Sequence, residues 1–308
     1  MVMVRLKTIR PKSMALLSTL LGLALSPAGR TEVLVVISPP APPSTEREVN
    51  AEICFPSLAN CTIGGDFEIE FHQVENLSEA ALGLSATLLD TPDALAAVNA
   101  RLPSGAVSYQ IDPAFPILVT VEPPVALALA FEDDVDFEFH SDESLVFAPG
   151  SVYRLMKAPL GGAFRDITND VLAGSIRTRG SGGRFSEFVI AKLVSTRAAS
   201  APLANVLGEA TLGFADLEAR LAEPDLSLVA RRVLGVSLAI ARAAFDNQDY
   251  AAATAKLTQI ELEAANLRGT AIPNRWRAAR DLINAEGEIQ ALAAALKHKL
   301  RCLQNLCN

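Results

Sequence analysis

The sequence predicts an α+β multidomain protein in which an antiparallel β-sandwich is followed by a small antiparallel helical bundle. From about residue 49 to 194, apolar and polar residues alternate in short runs separated by Pro, Gly and Asp, which is typical of strands with one wet face. From about residue 200, apolar residues instead recur every three or four positions, as in amphipathic helices. We therefore predict a β-sandwich domain over residues 31–197, a helical domain over residues 201–303 and a C-terminal tail over residues 304–308.

Residues 1–28 are predicted to be a secretory signal peptide. Four basic side chains precede an apolar run from Met14 to Leu25, and Ser26-Pro27-Ala28 supplies the small residues expected before a cleavage after Ala28. The apolar run is too short to cross a bilayer as a helix, and no other run reaches the length of a membrane span. We therefore predict an exported protein, periplasmic or secreted, with no transmembrane segment.

The strand prediction in the first domain rests on runs that alternate every second residue. Residues 67–72 form one such run, and the acidic stretch 132–143 contains another, in which phenylalanines alternate with carboxylates. The apolar run Val33–Ile37 indicates a first strand. Residues 77–100 are rich in Leu and Ala and are compatible with strands or with short helices. Gly180–Gly183 is interpreted as a hairpin turn.

Three amphipathic helices are predicted in the second domain. The second helix covers residues 250–267 and has Asp249 in position to cap it, and the third combines residues 276–283 with 289–300. Residues 203–222 indicate one or two shorter helices. Short connections make neighbouring helices antiparallel. The first of the three helices has its apolar stripe at Leu226, Val229, Val233, Val236 and Ile240.

The four cysteines form two local pairs, Cys54 with Cys61 and Cys302 with Cys307. In an exported chain, an even number of closely spaced cysteines indicates disulfides, although four cysteines allow three connectivities. Closure within each pair is the preferred interpretation, and the loop from Cys54 to Cys61 is worth about 2.5 kcal/mol in loop entropy. A zinc site built from all four is the alternative, but neither spacing is usual for zinc ligands.

The composition argues against a polyanionic partner. The sequence has 27 basic and 35 acidic residues, and the signal peptide would remove four basic residues and no acidic one. Because phosphate binding requires clustered Lys and Arg, we predict no nucleic-acid partner. The expected partner is an unidentified protein or cell-surface component, and no cofactor is predicted.

The densest charge feature is the acidic stretch 132–143. In a strand, Asp134, Asp136 and Glu138 share one face, and their oxygens are candidate calcium ligands. The stretch lacks the loop pattern of an EF-hand, and a regular strand separates these carboxylates by about 7 Å. A solvated strand face is the simpler interpretation, and calcium binding is the alternative.

Arg177 and Arg179 belong to a cluster of arginines in an otherwise acidic protein. In a strand both side chains point to the same face, where they could recognise an anion. The simpler interpretation is that they pair with the acidic stretch or with nearby carboxylates. We therefore retain both arginines as candidate anion-binding residues.

No catalytic motif is recognised in the sequence. It contains three histidines, none with a partner at ligand spacing, and it lacks the H-E-x-x-H, Walker-type and G-x-S-x-G patterns. A Ser-His-Asp triad is defined by geometry and not by sequence order, but nothing local indicates one. We therefore assign no catalytic residue, and non-catalytic function is favoured.

Three motifs between residues 153 and 190 resemble a bacterial family of exported proteins of unknown function. They are R-L-x-K-A-P at Arg154–Pro159, G-G-x-F-R-D-I-T at Gly161–Thr168 and F-S-E-F-x-I at Phe185–Ile190. A further similar patch lies at Ile272–Ala278. The resemblance covers most of the mature chain and implies export, but it supplies no activity, cofactor or catalytic residue.

Residues 242–265 also resemble, more loosely, helical hairpin modules of bacterial surface proteins. Together these observations predict an exported protein of unknown biochemical function with a non-catalytic binding, surface or envelope-associated structural role. Two alternatives remain open. One is an extracytoplasmic hydrolase of unrecognised type, and the other is a calcium-stabilised adhesion module.

Overall fold

A computed structural model describes the protein over residues 32–38, 46–105, 107–142, 144–148, 150–172, 174–194, 202–305 and 307. The predicted signal peptide lies outside these residues. The strands are β1 (Glu32–Ser38), β2 (Arg47–Phe55), β3 (Ile63–Glu75), β4 (Leu84–Leu88), β5 (Ser108–Ile111), β6 (Ile117–Val121), β7 (Ala130–Ser141), β8 (Tyr153–Ala158), β9 (Arg165–Asp166), β10 (Thr168–Leu172), β11 (Arg177–Gly182), β12 (Glu187–Val194) and β13 (Arg275–Arg277). The helices are α1 (Glu79–Leu82), α2 (Pro92–Asn99), α3 (Pro202–Ala222), α4 (Leu228–Asp246), α5 (Tyr250–Leu267) and α6 (Ala285–Leu303).

The strands form two antiparallel sheets. The first sheet has seven strands in the order β1-β2-β3-β7-β11-β10, with β13 also paired to β7. The second has six strands in the order β4-β6-β12-β8-β9, with β5 paired to β12. The predicted first strand at Val33–Ile37 is confirmed as β1, and the predicted α+β class with a C-terminal helical region is confirmed as well.

The sheets pack face to face through aromatic side chains. Phe188 on β12 lies 4.9 Å from Phe67 on β3 and 4.6 Å from Phe137 on β7, measured between ring centroids. The period-2 pattern explains this contact, because Phe67 and Phe137 occupy the inward positions of their strands while the intervening carboxylates point to the other face. Buried aromatic pairs of this kind dominate the core of the sandwich.

The helices cover the outer faces of both sheets. Helix α6 packs against α3 and α5 and also against β7, β10 and β11 of the first sheet. Leu212 on α3 and buried residues of α2 pack on the outer face of the second sheet around Val189. The N-terminal caps are as expected: the Asp249 side chain accepts a hydrogen bond from the Ala252 amide and begins α5.

Of the predicted apolar stripe, Leu226 is buried just before α4, but the residues within the helix face the solvent. Val229, Val236 and Ile240 are between 46 and 61% exposed, so the predicted inward face is wrong. The residues that face the helical core are Ala230, Leu234, Leu238, Ala241 and Phe245. This helix is apolar on two faces, and both stripes have the spacing of an amphipathic helix.

The third predicted helix begins later than the sequence pattern indicated. Residues 276–283 are not helical: Trp276 lies in the short strand β13, opposite Phe131 of β7, and α6 begins only at Ala285. The indole stacks on the Phe131 ring at 5.2 Å, so tertiary packing determines its conformation. Gly180–Gly182 lie within β11, and the predicted hairpin turn there is wrong.

The ambiguous segments are resolved by the structure. Residues 77–100 contain both kinds of element, since α1 and α2 flank the strand β4. Residues 203–222 form one helix, α3, in place of shorter pieces. The boundaries predicted for the two domains remain a prediction.

Candidate functional site

The outer face of the first sheet carries a grid of charged side chains. In the strand register, Glu68 on β3 lies opposite Glu138 on β7, which in turn lies opposite Arg179 on β11. In the next row, Glu70 lies opposite Asp136. Like charges directly opposite each other in a sheet are destabilising, so the carboxylates in these two rows repel each other, and Arg179 offsets part of this repulsion.

The three candidate calcium ligands are divided between two environments. Asp134 and Asp136 lie 4.0 and 3.7 Å from Nε2 of His72. Glu138 instead accepts a hydrogen bond from Arg179 Nε at 2.6 Å and lies 3.7 Å from Arg177. The register therefore places the three carboxylates on one face without gathering them around one point, and calcium binding stays a prediction.

The two candidate anion-binding arginines share a carboxylate. The side chains of Arg177 and Arg179 are about half exposed, and both contact Glu138. Arg179 is the closer partner, and its hydrogen bond to Glu138 offsets the loss of hydration so that its pKa is raised. The intramolecular pairing matches the simpler of the two interpretations, and anion binding stays a prediction.

A cleft of about 980 Å³ lies between this charged face and the C-terminal helix. Its sheet wall includes Glu68, Glu70, Asp136 and Glu138, and its helical wall is formed by residues of α6 and by Asn205 and Val206 at the start of α3. The volume is at the upper end of that of ligand pockets. The α6 residues in the wall are Ala294, Lys297, His298, Arg301 and Cys302.

Burial and mutual repulsion shift the ionisation of the carboxylates in the cleft. Burial, together with the negative charges of Glu48 and Glu138, raises the pKa of Glu68 to about 7. Burial also raises the pKa of Asp136 to about 6, with a contribution from Asp134. Strongly shifted groups that lie in a cleft indicate a functional site.

The cations around the cleft already have partners. Lys297 forms a salt bridge of 2.5 Å with Glu261, and Arg301 donates to the carbonyl of Asn169 at 3.0 Å. By contrast, Glu68 and Glu70 form no salt bridge within the part of the chain that the structure describes. Arg179 attracts Glu68 but is already hydrogen-bonded to Glu138, so the carboxylates of the cleft are only partly compensated by positive charge.

One disulfide closes the connection between β2 and β3, and the other lies at the C-terminal end of α6. Cys54 on β2 pairs with Cys61, and Cys302 near the end of α6 pairs with Cys307. The second pair lies in the wall of the cleft, where it ties the end of the chain to α6. Beside it, burial lowers the pKa of His298 to about 3, so the imidazole is neutral at physiological pH.

The motifs between residues 153 and 190 supply a buried ionic network. The Arg154 guanidinium donates to both carboxylate oxygens of Glu209 on α3, at 2.8 and 3.0 Å. Asp166 lies 3.1 Å from Lys299 on α6 and 3.9 Å from Arg154. The network joins the second sheet to two helices, and the Tyr109 hydroxyl donates to the same Glu209 carboxylate. These motif residues therefore have a structural explanation.

The lysine of the R-L-x-K-A-P motif, Lys157, also has a structural explanation. The Lys157 ammonium lies 5.6 Å from the centroid of the Phe137 ring. Burial lowers the pKa of Lys157 to about 7, against the attraction of Glu288. A Cβ at Gly182 would clash with this Nζ atom, so the glycine makes room for the lysine.

Sequence reasoning did not identify Glu68 and Glu70 as site residues. Both carry the period-2 signal of a wet strand face, which is common on solvated strands. Their significance comes from the register, which places them opposite Glu138 and Asp136 about seventy residues later, and from α6, which covers that face. No local pattern encodes either relation.

Fold and site together define a mixed α+β protein with a polar cleft along one sheet. The chain belongs to a family of unknown function, DUF6689, whose model matches residues 48–304. No curated protein and no solved structure matches the chain at the threshold of either comparison. Among the helices that the structure describes, none is both long enough and apolar enough to cross a membrane.

Proposed function

We propose that this chain is an exported bacterial binding protein of the envelope or cell surface, and that its cleft binds a cationic group of a partner protein without changing it chemically. The observation that carries the proposal is the uneven pairing of charges in the cleft. The lining cations Arg179, Lys297 and Arg301 are occupied by neighbours, whereas Glu68 and Glu70 have no salt-bridge partner among the described residues.

A cationic partner would remove a cost that the free protein carries. Burial raises the pKa of Glu68 to about 7 and that of Asp136 to about 6, which means that their charged forms are disfavoured. An ammonium or guanidinium group placed between them restores the charged form and satisfies the carboxylate oxygens. An anionic ligand would instead have to displace Glu138 from Arg179.

Export is supported by two independent observations. The first thirty residues have the composition of a signal peptide, and the four cysteines lie in two pairs at disulfide distance. Disulfides persist in oxidising compartments. The motifs that resemble an exported bacterial family agree with this location.

The proposal is tested by calorimetric titration of the purified protein with a hexa-lysine peptide. We expect binding at about pH 8 that weakens at least tenfold at about pH 5, because protonation of Glu68 and Asp136 removes their charge. The double variant Glu68→Gln/Glu70→Gln should weaken binding at least tenfold. The matched control is Glu79→Gln/Asp93→Asn, which removes two exposed carboxylates outside the cleft and should leave binding unchanged.

Equal binding by both double variants, or no binding by the wild type, would contradict a cationic ligand. The calcium alternative gives a different result in the same protein. A melting temperature that rises when EDTA is replaced by millimolar calcium, together with no hexa-lysine binding, would favour the calcium-stabilised adhesion module over our proposal.

A further inference from the structure

The His140 side chain lies between an acid and a serine. Its Nδ1 atom is 3.3 Å from Oδ2 of Asp66, and its Nε2 atom is 2.5 Å from Oγ of Ser175. Asp142 lies further away, with Oδ1 at 4.0 Å from the same Nδ1 atom. The sequence separations are 74 and 35 residues, so only the fold brings the three side chains together.

The first sheet holds these residues on one face. Asp66 on β3 and Arg177 on β11 are the cross-strand neighbours of His140 on β7. Ser175 precedes Arg177 by two positions, which returns it to the same side of the chain. The register of β3 and β7 therefore fixes Asp66 beside His140, and Ser175 lies just before β11 in an isolated bridge with Val146.

Backbone hydrogen bonds hold Ser175 in place. The amide of Ile176 donates to the carbonyl of Leu145 at 3.2 Å, and the amide of Phe147 donates to the carbonyl of Gly174 at 3.1 Å. Ile176 is fully buried and anchors the segment in the core. The serine itself is half-buried, so its hydroxyl is held by a rigid backbone and remains accessible from the solvent.

The order of contacts is that of a nucleophile, a base and an orienting acid. When Nδ1–H donates to the Asp66 carboxylate, the lone pair of Nε2 faces the Ser175 hydroxyl, which is the tautomer needed to accept its proton. The amide of Ser175 donates to no backbone carbonyl in the part of the chain that the structure describes. In the general Ser-His-Asp template, the nucleophile's own amide stabilises the oxyanion.

We propose that Ser175, His140 and Asp66 form an acyl-transfer site that hydrolyses carboxylic esters. Ser175 Oγ bonds to the ester carbonyl carbon while its proton passes to His140 Nε2. The tetrahedral alkoxide expels the alcohol oxygen, which takes that proton, and an acyl-Ser175 ester remains. Water then adds by the same proton route, releasing the carboxylic acid and restoring the serine hydroxyl.

The surroundings limit the substrate. The cleft between the first sheet and α6 does not include these three residues, so the ester has to be presented from the solvent. Arg177 lies beside His140 in the register but contacts Glu138, and Asp66 and Asp142 lie next to the imidazole, so a neutral ester is the expected substrate. The inference does not rest on the cationic ligand proposed for the cleft, which is a separate location.

The test uses a fluorophosphonate probe and the ester p-nitrophenyl acetate with the purified protein. We expect the probe to label Ser175, identified by mass spectrometry, and ester hydrolysis to fall at least a hundredfold in Ser175→Ala. Asp66→Asn should lower the rate of labelling because the imidazole loses its tautomer. The matched control Ser85→Ala removes an exposed serine on β4 and should label and hydrolyse like the wild type.

Labelling that persists in Ser175→Ala, or no labelling of a wild-type protein with a cooperative melting transition, would overturn the acyl-transfer site. Because Ser175→Ala removes one half-buried atom, its melting temperature should match the wild type, and loss of labelling then reports chemistry and not unfolding. Hexa-lysine binding measured in the same variant should be unchanged, so the two proposals can fail independently.

Discussion

The Glu209→Ala substitution removes the carboxylate that joins α3 to the second sheet. The Glu209 side chain is fully buried and accepts hydrogen bonds from Arg154 at 2.8 and 3.0 Å and from the Tyr109 hydroxyl at 3.1 Å. Without it, the buried Arg154 guanidinium keeps the carbonyls of Ser151 and Tyr153 and a carboxylate, Asp166, 3.9 Å away. A largely uncompensated positive charge is then left inside the protein.

The expected loss of stability follows from the burial of the pair. Removing one partner of a buried ion pair typically costs about 3–5 kcal/mol, because the remaining charge cannot return to water. For a chain of this size, 1 kcal/mol corresponds to roughly 2–4 °C in melting temperature. We therefore expect Glu209→Ala to melt roughly 6–20 °C below the wild type.

Urea unfolding and thermal melting followed by circular dichroism measure the effect. The paired replacement Arg154→Met/Glu209→Leu leaves no lone charge and should recover at least half of the loss. The control Asp246→Ala breaks the exposed pair with Arg242 and should change stability by less than about 0.5 kcal/mol. A loss below about 1 kcal/mol for Glu209→Ala would refute the reasoning, since it would mean that water reaches Arg154.

Three further predictions concern the cleft, α4 and a disulfide. Because the folded pKa of Glu68 is raised to about 7, its contribution to stability falls as pH rises from about 4.5 through 7. In urea titrations at about pH 8, Glu68→Gln should therefore be more stable than the wild type, by on the order of 1 kcal/mol after solvent screening. At about pH 4 the two proteins should be equally stable. Leu234→Ala should lower the free energy of unfolding by about 2–5 kcal/mol, whereas Val236→Lys at an exposed position should lower it by less than about 0.5 kcal/mol. A larger loss for Val236→Lys than for Leu234→Ala would show that α4 is rotated. Replacing Cys54 and Cys61 by Ser should lower the free energy of unfolding by about 2.5 kcal/mol, and a larger loss is expected when the wild type is reduced, because reduction also opens the Cys302–Cys307 disulfide.

Local periodicity predicted the sandwich because each strand carries its own signal. Phe67 and Phe137 are inward-facing residues with carboxylates beside them, and the alternation alone places them in a core. The prediction fails where a segment has two apolar faces, as α4 does. Val236 and Leu234 both belong to stripes of helical spacing, and only packing against the other helices decides that Leu234 is the buried one.

Tertiary contacts also explain why the start of the last helix was misassigned. Trp276 has the spacing of a helix with Ala279 and Ile283, yet its ring stacks on Phe131 and meets Phe185 edge-on, both at 5.2 Å. Burial of an indole between two aromatic rings outweighs the weak helix propensity of a short segment. The strand β13 is therefore imposed by the sandwich and not by the sequence around it.

The candidate sites depend on strand register, which single-sequence patterns do not encode. Glu68 and Glu138 are separated by seventy positions, and a shift of one residue between β3 and β7 would move one of them to the core face. The same register brings Asp66 to His140. The charge pattern identified the acidic stretch 132–143 from the sequence, but the residues that neighbour this stretch are determined by the topology of the sheet.

Arginines buried inside the protein are paired with carboxylates, whereas the carboxylates of the cleft are only partly compensated by positive charge. This contrast is the strongest argument that the cleft has a function. Arg220 is 1% exposed and is matched by Asp225 at 2.7 Å and Glu288 at 2.8 Å, and Arg154 is matched by Glu209. The fold thus compensates charges that it buries for its own stability. On the outer face of the first sheet it instead sets Glu68 against Glu138, and Arg179, which attracts Glu68, is already hydrogen-bonded to Glu138. Since repulsion between such carboxylates opposes folding, the cationic partner that we propose would relieve it by supplying positive charge in the cleft.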